Sequence, residues 1–135
     1  MEIANKEQVI QLFGEWPSFH DAEVISIELR RGESPGQFTD LFAAIQVRKY
    51  MPANVGTAEF EMATTHDGVI TLRFSSISDL SLSEFNHQNV IDDISMSQEG
   101  SRVNVTFESI YGVECFFKCA QAVVTDVVNR LQDNS

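Results

Sequence analysis

Three histidines are the residues best suited to chemistry in this chain. Two of them head a His-Asp dipeptide, His20-Asp21 and His66-Asp67, and His87 stands apart. Imidazole and carboxylate together can ligate a transition metal or move a proton near neutral pH. A small metal-dependent hydrolase built on His20, His66 and His87 is therefore one reading, but no repeated partner spacing supports it. The other reading is local: each aspartate accepts backbone N–H bonds in a loop beside a strand, and the histidine packs next to it with one hydrogen bond. A serine or cysteine nucleophile would need a nearby base and an orienting acid. The chain contains no G-x-S-x-G elbow and no glycine-rich phosphate loop, and its seven glycines are not clustered. The expectation is a protein that is not an enzyme, with no catalytic residue, no metal and no cofactor.

Cys115 and Cys119 complete the reactive inventory. On a strand their alpha carbons would lie roughly 13 Å apart, too far for a disulfide. Zinc would need two further ligands at fixed spacing. Buried free thiols on a core face are expected. The opening residues Met1 to Glu7 carry no basic n-region and lead into no long apolar segment, so the expected location is the cytoplasm. No apolar run approaches the roughly 20 residues of a membrane helix.

With 135 residues and 43% hydrophobic composition, the chain reads as a single domain over 1–135. Nine basic residues against twenty acidic ones give a net charge of −11, which argues against nucleic acid and anionic membranes as partners. The acids are uneven. Between Tyr50 and Ser101 lie Glu59, Glu61, Asp67, Asp79, Glu84, Asp92, Asp93 and Glu99, with Arg73 as the one base. Either this is a solubilising surface, or it is a negative face that steers a basic partner.

Alternation and punctuation place these residues on elements. Residues 3–13 read as a helix through Val9, Ile10 and Phe13, capped near Asn5 and stopped by Gly14. The loop Glu15-Trp16-Pro17-Ser18-Phe19-His20-Asp21 follows. Its Trp16 and Phe19 either anchor a partner or plug the end of the core. Ala22–Arg31 alternates with Ile25, Ile27 and Leu29 on one face. Gly32-Glu33-Ser34-Pro35-Gly36 is a turn. Asp40–Met51 alternates with Leu41, Ala43, Ile45 and Val47 against Phe42, Ala44, Gln46, Arg48 and Tyr50, and Pro52 is expected to end it. Ala58–Met62 and Val69–Ser75 read as two strands joined by an Asp67-Gly68 turn. Residues 76–89 read as irregular, with Leu80, Leu82 and Phe85 tucked under the sheet. Strands follow at Val90–Gln98, where Ile91 breaks the pattern, then at Val103–Phe107, and at Val113–Cys119. Residues 120–132 match a helix face, but their valines favour strand, and strand is preferred at the start. The sum is an α+β fold, a mostly antiparallel sheet of about six to eight strands with an N-terminal helix packed on it.

Phe13-Gly14-x-Trp16-Pro17-x-Phe19-His20-Asp21-Ala22-Glu23-Val24, ahead of an alternating strand ending in Arg30-Arg31, resembles the opening of the immunity-protein-50 family of bacterial polymorphic-toxin immunity proteins. Phe85-Asn86-x-Gln88-Asn89-Val90-Ile91 and Gly112-Val113-Glu114-x-Phe116-x-x-Cys119 resemble two later segments of such proteins. The resemblance implies a small binding protein that neutralises a cognate toxin by direct contact, and it brings no catalytic residue with it. An acidic inhibitor suits a basic toxin cleft, with Glu59, Glu61, Asp92 and Asp93 as the expected contact residues and Trp16, Phe19, His20 and Asp21 as a structural loop. The competing readings are a stand-alone domain that binds a ligand or self-assembles, as monomer or homodimer, and the metal-dependent hydrolase.

Overall fold

A computed structural model describes residues 3–32 and 38–131. One short helix, α1 (Glu7–Phe13), precedes seven strands: β1 (Ala22–Arg31), β2 (Thr39–Ala53), β3 (Glu61–Ser83), β4 (Val90–Glu99), β5 (Arg102–Tyr111), β6 (Glu114–Cys119) and β7 (Gln121–Asn129). The fold is α+β in the broad sense but dominated by antiparallel sheet. The turn expected over Gly32–Gly36 falls for the most part outside the described residues.

The helix is shorter than the periodicity suggested. Ala4 is used by the sheet instead, donating to Ala122 O at 3.0 Å and accepting from Val124 N at 2.9 Å. Asn5 then turns the chain at φ 61°. Lys6, not Asn5, is the N-cap, and it makes no side-chain capping bond. Gly14 ends the helix in the left-handed conformation, its N–H bonded to Ile10 O.

The strands follow the order β2-β1-β4-β5-β6-β3-β7, and β2 also pairs with β3, so the sheet closes on itself. β3 makes this possible by its length. One of its edges carries β2 from Thr39↔Ile77 to Ala53↔Glu61. The other carries β6 from Ser83↔Glu114 to Ser78↔Lys118 and then β7 from Ser75↔Gln121 to Gly68↔Asn129. Ala120 bridges the two with a bond to Ser75 O, so β6 and β7 lie end to end as one kinked strand. The join between β1 and β4 is narrow, with Ala22↔Ile91 and Glu23↔Val90 as its two paired positions.

The interior is filled by the alternating faces of the strands. Leu41, Ala43, Ile45 and Val47 of β2 and Val103, Val105 and Phe107 of β5 are buried as their spacing demanded. Phe74, Phe107 and Phe117 meet at its centre, with ring centroids 4.9–6.1 Å apart. Cys115 and Cys119 are buried free thiols on this core face. Burial pushes Cys115 up to about 12 and Cys119 up to about 11, the latter despite the nearby Arg102 charge.

Several expectations are corrected. Asp67-Gly68 is no turn: it lies inside β3, and Gly68 is where α1 packs. A Cβ there would meet Leu12 Cδ2 at 2.7 Å, Val128 O at 3.2 Å and Phe13 Cζ at 3.3 Å. The glycine serves close approach, which a local turn signal cannot distinguish. The actual reversal is at Asn54–Thr57, with Asn54 and Gly56 both at positive φ. The Ala58–Met62 strand begins only at Glu61. Pro52 sits within β2, paired with Met62, because beyond Gln46 β2 has lost β1 and, among the described residues, pairs with β3 alone. Residues 76–83 are strand, not irregular chain. Ser76 and Asp79 take positive φ and bend β3 from β7 to β6. Leu80 packs on the core, whereas Leu82 and Phe85 are exposed.

Bulges account for the broken alternations. In β1 the register shifts between Val24 and Ser26, which ejects Ile25 and places Ile27 opposite Ala43. In β4 the shift between Ile91 and Asp93 puts fully buried Ile91 in line with Ile94 and Met96, instead of Val90. In β7 the shift near Thr125 allows Ala122, Val123 and Val124 to be buried while Val127 rejoins the core face. That mixture is what imitated a helix face.

Candidate functional site

β1 leaves β2 at Gln46 and β7 leaves β3 at Gly68. Beyond those points β2 and β3 continue as a two-stranded arm to the Asn54–Thr57 turn. On the outer side of the barrel, the foot of this arm and the 15–21 loop enclose a cleft of about 620 Å³. Glu15, His20 and Asp21 line one side, and Gln46, Arg48 and Tyr50 line the other.

Local geometry places each group. Pro17 keeps the chain extended after α1. Phe19 is 5% exposed in the core, and Trp16 packs on it edge-on at 5.7 Å, half-buried, with Lys6 Nζ 4.9 Å from its ring centroid. These contacts hold the loop so that His20 and Asp21 face solvent. Asp21 takes φ 65° and donates its N–H to Ile91 O at 2.9 Å. That bond brings the loop onto β4, where His20 Nδ1 donates to Asp92 Oδ1 at 2.6 Å. His20 Nε2 lies 3.5 Å from Asp21 Oδ2.

The hydrogen bond to Asp92, helped by the charge of Asp21, raises the His20 pKa above its ordinary 6.5. A raised native pKa means that this link stabilises fully below the unfolded-state value and is lost as pH rises through the native one. Proton NMR titration is expected to give a His20 midpoint above 6.5, and Asp92→Asn to bring it back down. An unchanged midpoint in that variant would show that the pair is absent in solution.

The two cations of the cleft are already engaged. Arg48 Nε donates to Asp67 Oδ2 at 3.3 Å, and Gln46 Nε2 donates to Asp67 Oδ1 at 2.9 Å. Lys49 Nζ donates to Phe13 O at 3.0 Å and to Glu15 Oε1 at 3.2 Å. Glu23 remains to present negative charge at the cleft, with Asp21 beside His20.

The four acids expected as contacts fall into two pairs. Asp92 and Asp93 lie on β4, Asp92 tied to the cleft through His20 and Asp93 opposite Glu108 of β5, and Glu59 and Glu61 lie near the tip of the arm. Glu61 pairs with Ala53, seven residues along β2 from Gln46, roughly 23 Å at strand rise. The acidic stretch of the chain is thus not one patch, since β3 and β4 are not neighbours in the sheet. The histidines are not gathered either. His66 lies mid-strand, its ring 6.0 Å from that of Phe13 and its Nδ1 2.9 Å from the Thr65 hydroxyl, and His87 is exposed in the loop before β4. Among the described residues, no group of three or more His, Cys, Asp or Glu is placed to hold a metal ion. No helix among them is long and apolar enough to cross a membrane. Gln46, Arg48 and Tyr50 were not singled out from the sequence as site residues, although they are the polar side of the β2 alternation.

The three segments that carry the resemblance interlock beside the cleft. Asn89, 3% exposed, accepts from Asn86 N at 3.0 Å and Val113 N at 3.1 Å through Oδ1 and donates to Asn86 O at 2.7 Å. Val24 N donates to Asn89 O at 2.8 Å. Gly112, at φ 80°, passes directly against Gln88 and Asn89. Comparison with curated proteins and with solved structures yields no match. Residues 5–129 match the family described as Immunity protein 50, and the chain belongs to that family.

Proposed function

We propose that this protein neutralises a cognate bacterial toxin in the cytoplasm by direct protein–protein contact, without bond-making chemistry of its own. The observation that carries the reading is the family match over residues 5–129. The net charge of −11 adds the kind of partner: a cationic surface, such as the substrate cleft of a toxin that attacks nucleic acid. Exposed Asp92 and Asp93 on β4 and exposed Glu59 and Glu61 on the arm supply this charge as two separate pairs. They steer the encounter and raise the association rate.

The test pairs purified protein with an inactivated C-terminal domain of the toxin encoded beside its gene. Replacing Glu59, Glu61, Asp92 and Asp93 together by their amides is expected to slow association about tenfold at low salt and to flatten its salt dependence. Unchanged association kinetics would leave these four as solubilising residues. Failure of the unaltered protein to bind that domain would remove the neutralising reading.

A further inference from the structure

We propose that the outward face of the β2–β3 arm, continuous with the cleft at its foot, is the apolar anchor of the partner interface, and that it takes a cationic protein surface carrying apolar side chains. This inference rests on the toxin-neutralising reading and names the element that performs it. Tyr50, Met51, Val55, Phe60 and Met62 are each at least half exposed, all within one arm. Directly opposed residues share a face, so Tyr50 with Thr64 and Pro52 with Met62 form an outward strip, while Met51, opposite Ala63, lies on the other face of the arm. Tyr50 also lines the cleft, which joins the strip to it. An apolar surface of this kind, on an element with both edges unpaired among the described residues, is the usual mark of a docking site.

Charge selects the occupant. From Tyr50 to Leu72 the chain has no lysine or arginine, while Glu59 and Glu61 flank Phe60. At the foot, Arg48 and Lys49 are held by Asp67 and Glu15. A partner entering here meets aromatic and thioether side chains bordered by carboxylates. That combination suits apolar groups bordered by lysine or arginine, and it opposes a second copy of this acidic chain.

The test measures binding of the same inactivated toxin domain to unaltered protein and to the triple variant Tyr50→Ser, Phe60→Ser, Met62→Ser. Dissociation is expected to quicken by about a hundredfold or more, with association changed by less than about threefold. Hydrogen exchange on the unaltered complex is expected to protect amides 50–62, a readout that holds even where the variant folds poorly. Undiminished binding by the folded variant, or protection confined to other elements, would overturn the inference and leave the neutralising function standing. A dimer that the triple substitution dissociates without loss of toxin binding would also overturn it, making the arm a contact between copies. Absence of binding by the unaltered protein would overturn both.

Discussion

Gly112→Ala is expected to lower stability by about 3–4 kcal/mol, read as a fall of about 2 M in the urea midpoint. Two effects combine. Gly112 has φ 80°, where an L side chain is strained by about 1–2 kcal/mol. A Cβ there would also press on Gln88 O and come within 2.8 Å of Asn89 Oδ1 and 3.1 Å of Asn89 Cα. These are backbone and a buried, triply bonded side chain, so the neighbours cannot give way without breaking the bonds to Asn86 and Val113. Gly100→Ala is the internal control. Gly100 has φ 62° but nothing within 4 Å of a built Cβ, so its loss is expected to be about 1 kcal/mol, strain alone. Equal losses at the two positions would show that the segments around Asn89 are not tightly interlocked.

Phe117→Ala is expected to cost about 4 kcal/mol, and Phe117→Leu about 1.5 kcal/mol or less. Phe117 is fully buried, 4.9 Å from Phe74 and 6.1 Å from Phe107 between ring centroids. Its strand is paired on both edges, to β5 and to β3. Neither neighbour can move inward without disrupting a ladder, so the cavity stays largely open and the loss falls in the upper part of the range for phenylalanine. Chemical denaturation with an unchanged slope is the measurement. A loss below about 2 kcal/mol would mean that the core closes over the vacancy and is more plastic than the ring of strands implies.

What the sequence made legible was local alternation between unbroken neighbours. Leu41 to Val47 and Val103 to Phe107 alternate without a bulge, and both sets are buried as expected. Gly14 was legible because helix termination is a one-residue event. The errors arise wherever a distant segment decides the outcome. Asp67-Gly68 has the composition of a hairpin turn, but α1 requires a small residue there, and that requirement comes from more than fifty residues away. Ile25, Ile91 and the valines of β7 defeat a period-two reading because each strand carries a bulge, and a bulge is set by the partner ladder. Pairing of β3 with β2 on one edge and β6–β7 on the other has no local signature, so closure of the sheet was invisible.

The candidate site divides in the same way. His20, Asp21 and Asp92 each stood out from the sequence, but the hydrogen bond that joins loop to strand spans 72 positions. Glu59 and Glu61 stand out in the sequence by charge alone. Their placement on an exposed apolar arm depends on β1 and β7 both ending early, which no feature of residues 50–62 announces.

The brief junction of β1 with β4 is where the barrel is expected to open first. With two paired positions, backed by the Asp21 N–Ile91 O and Val24 N–Asn89 O bonds, it is the narrowest strand junction, and a gap there would expose Ile91. Glu23 and Val90, which face each other across that junction, also line the cleft. Any molecule seated in the cleft therefore rests on both lips of the gap and acts as a clasp, so the protein's resistance to unfolding rises with its occupancy.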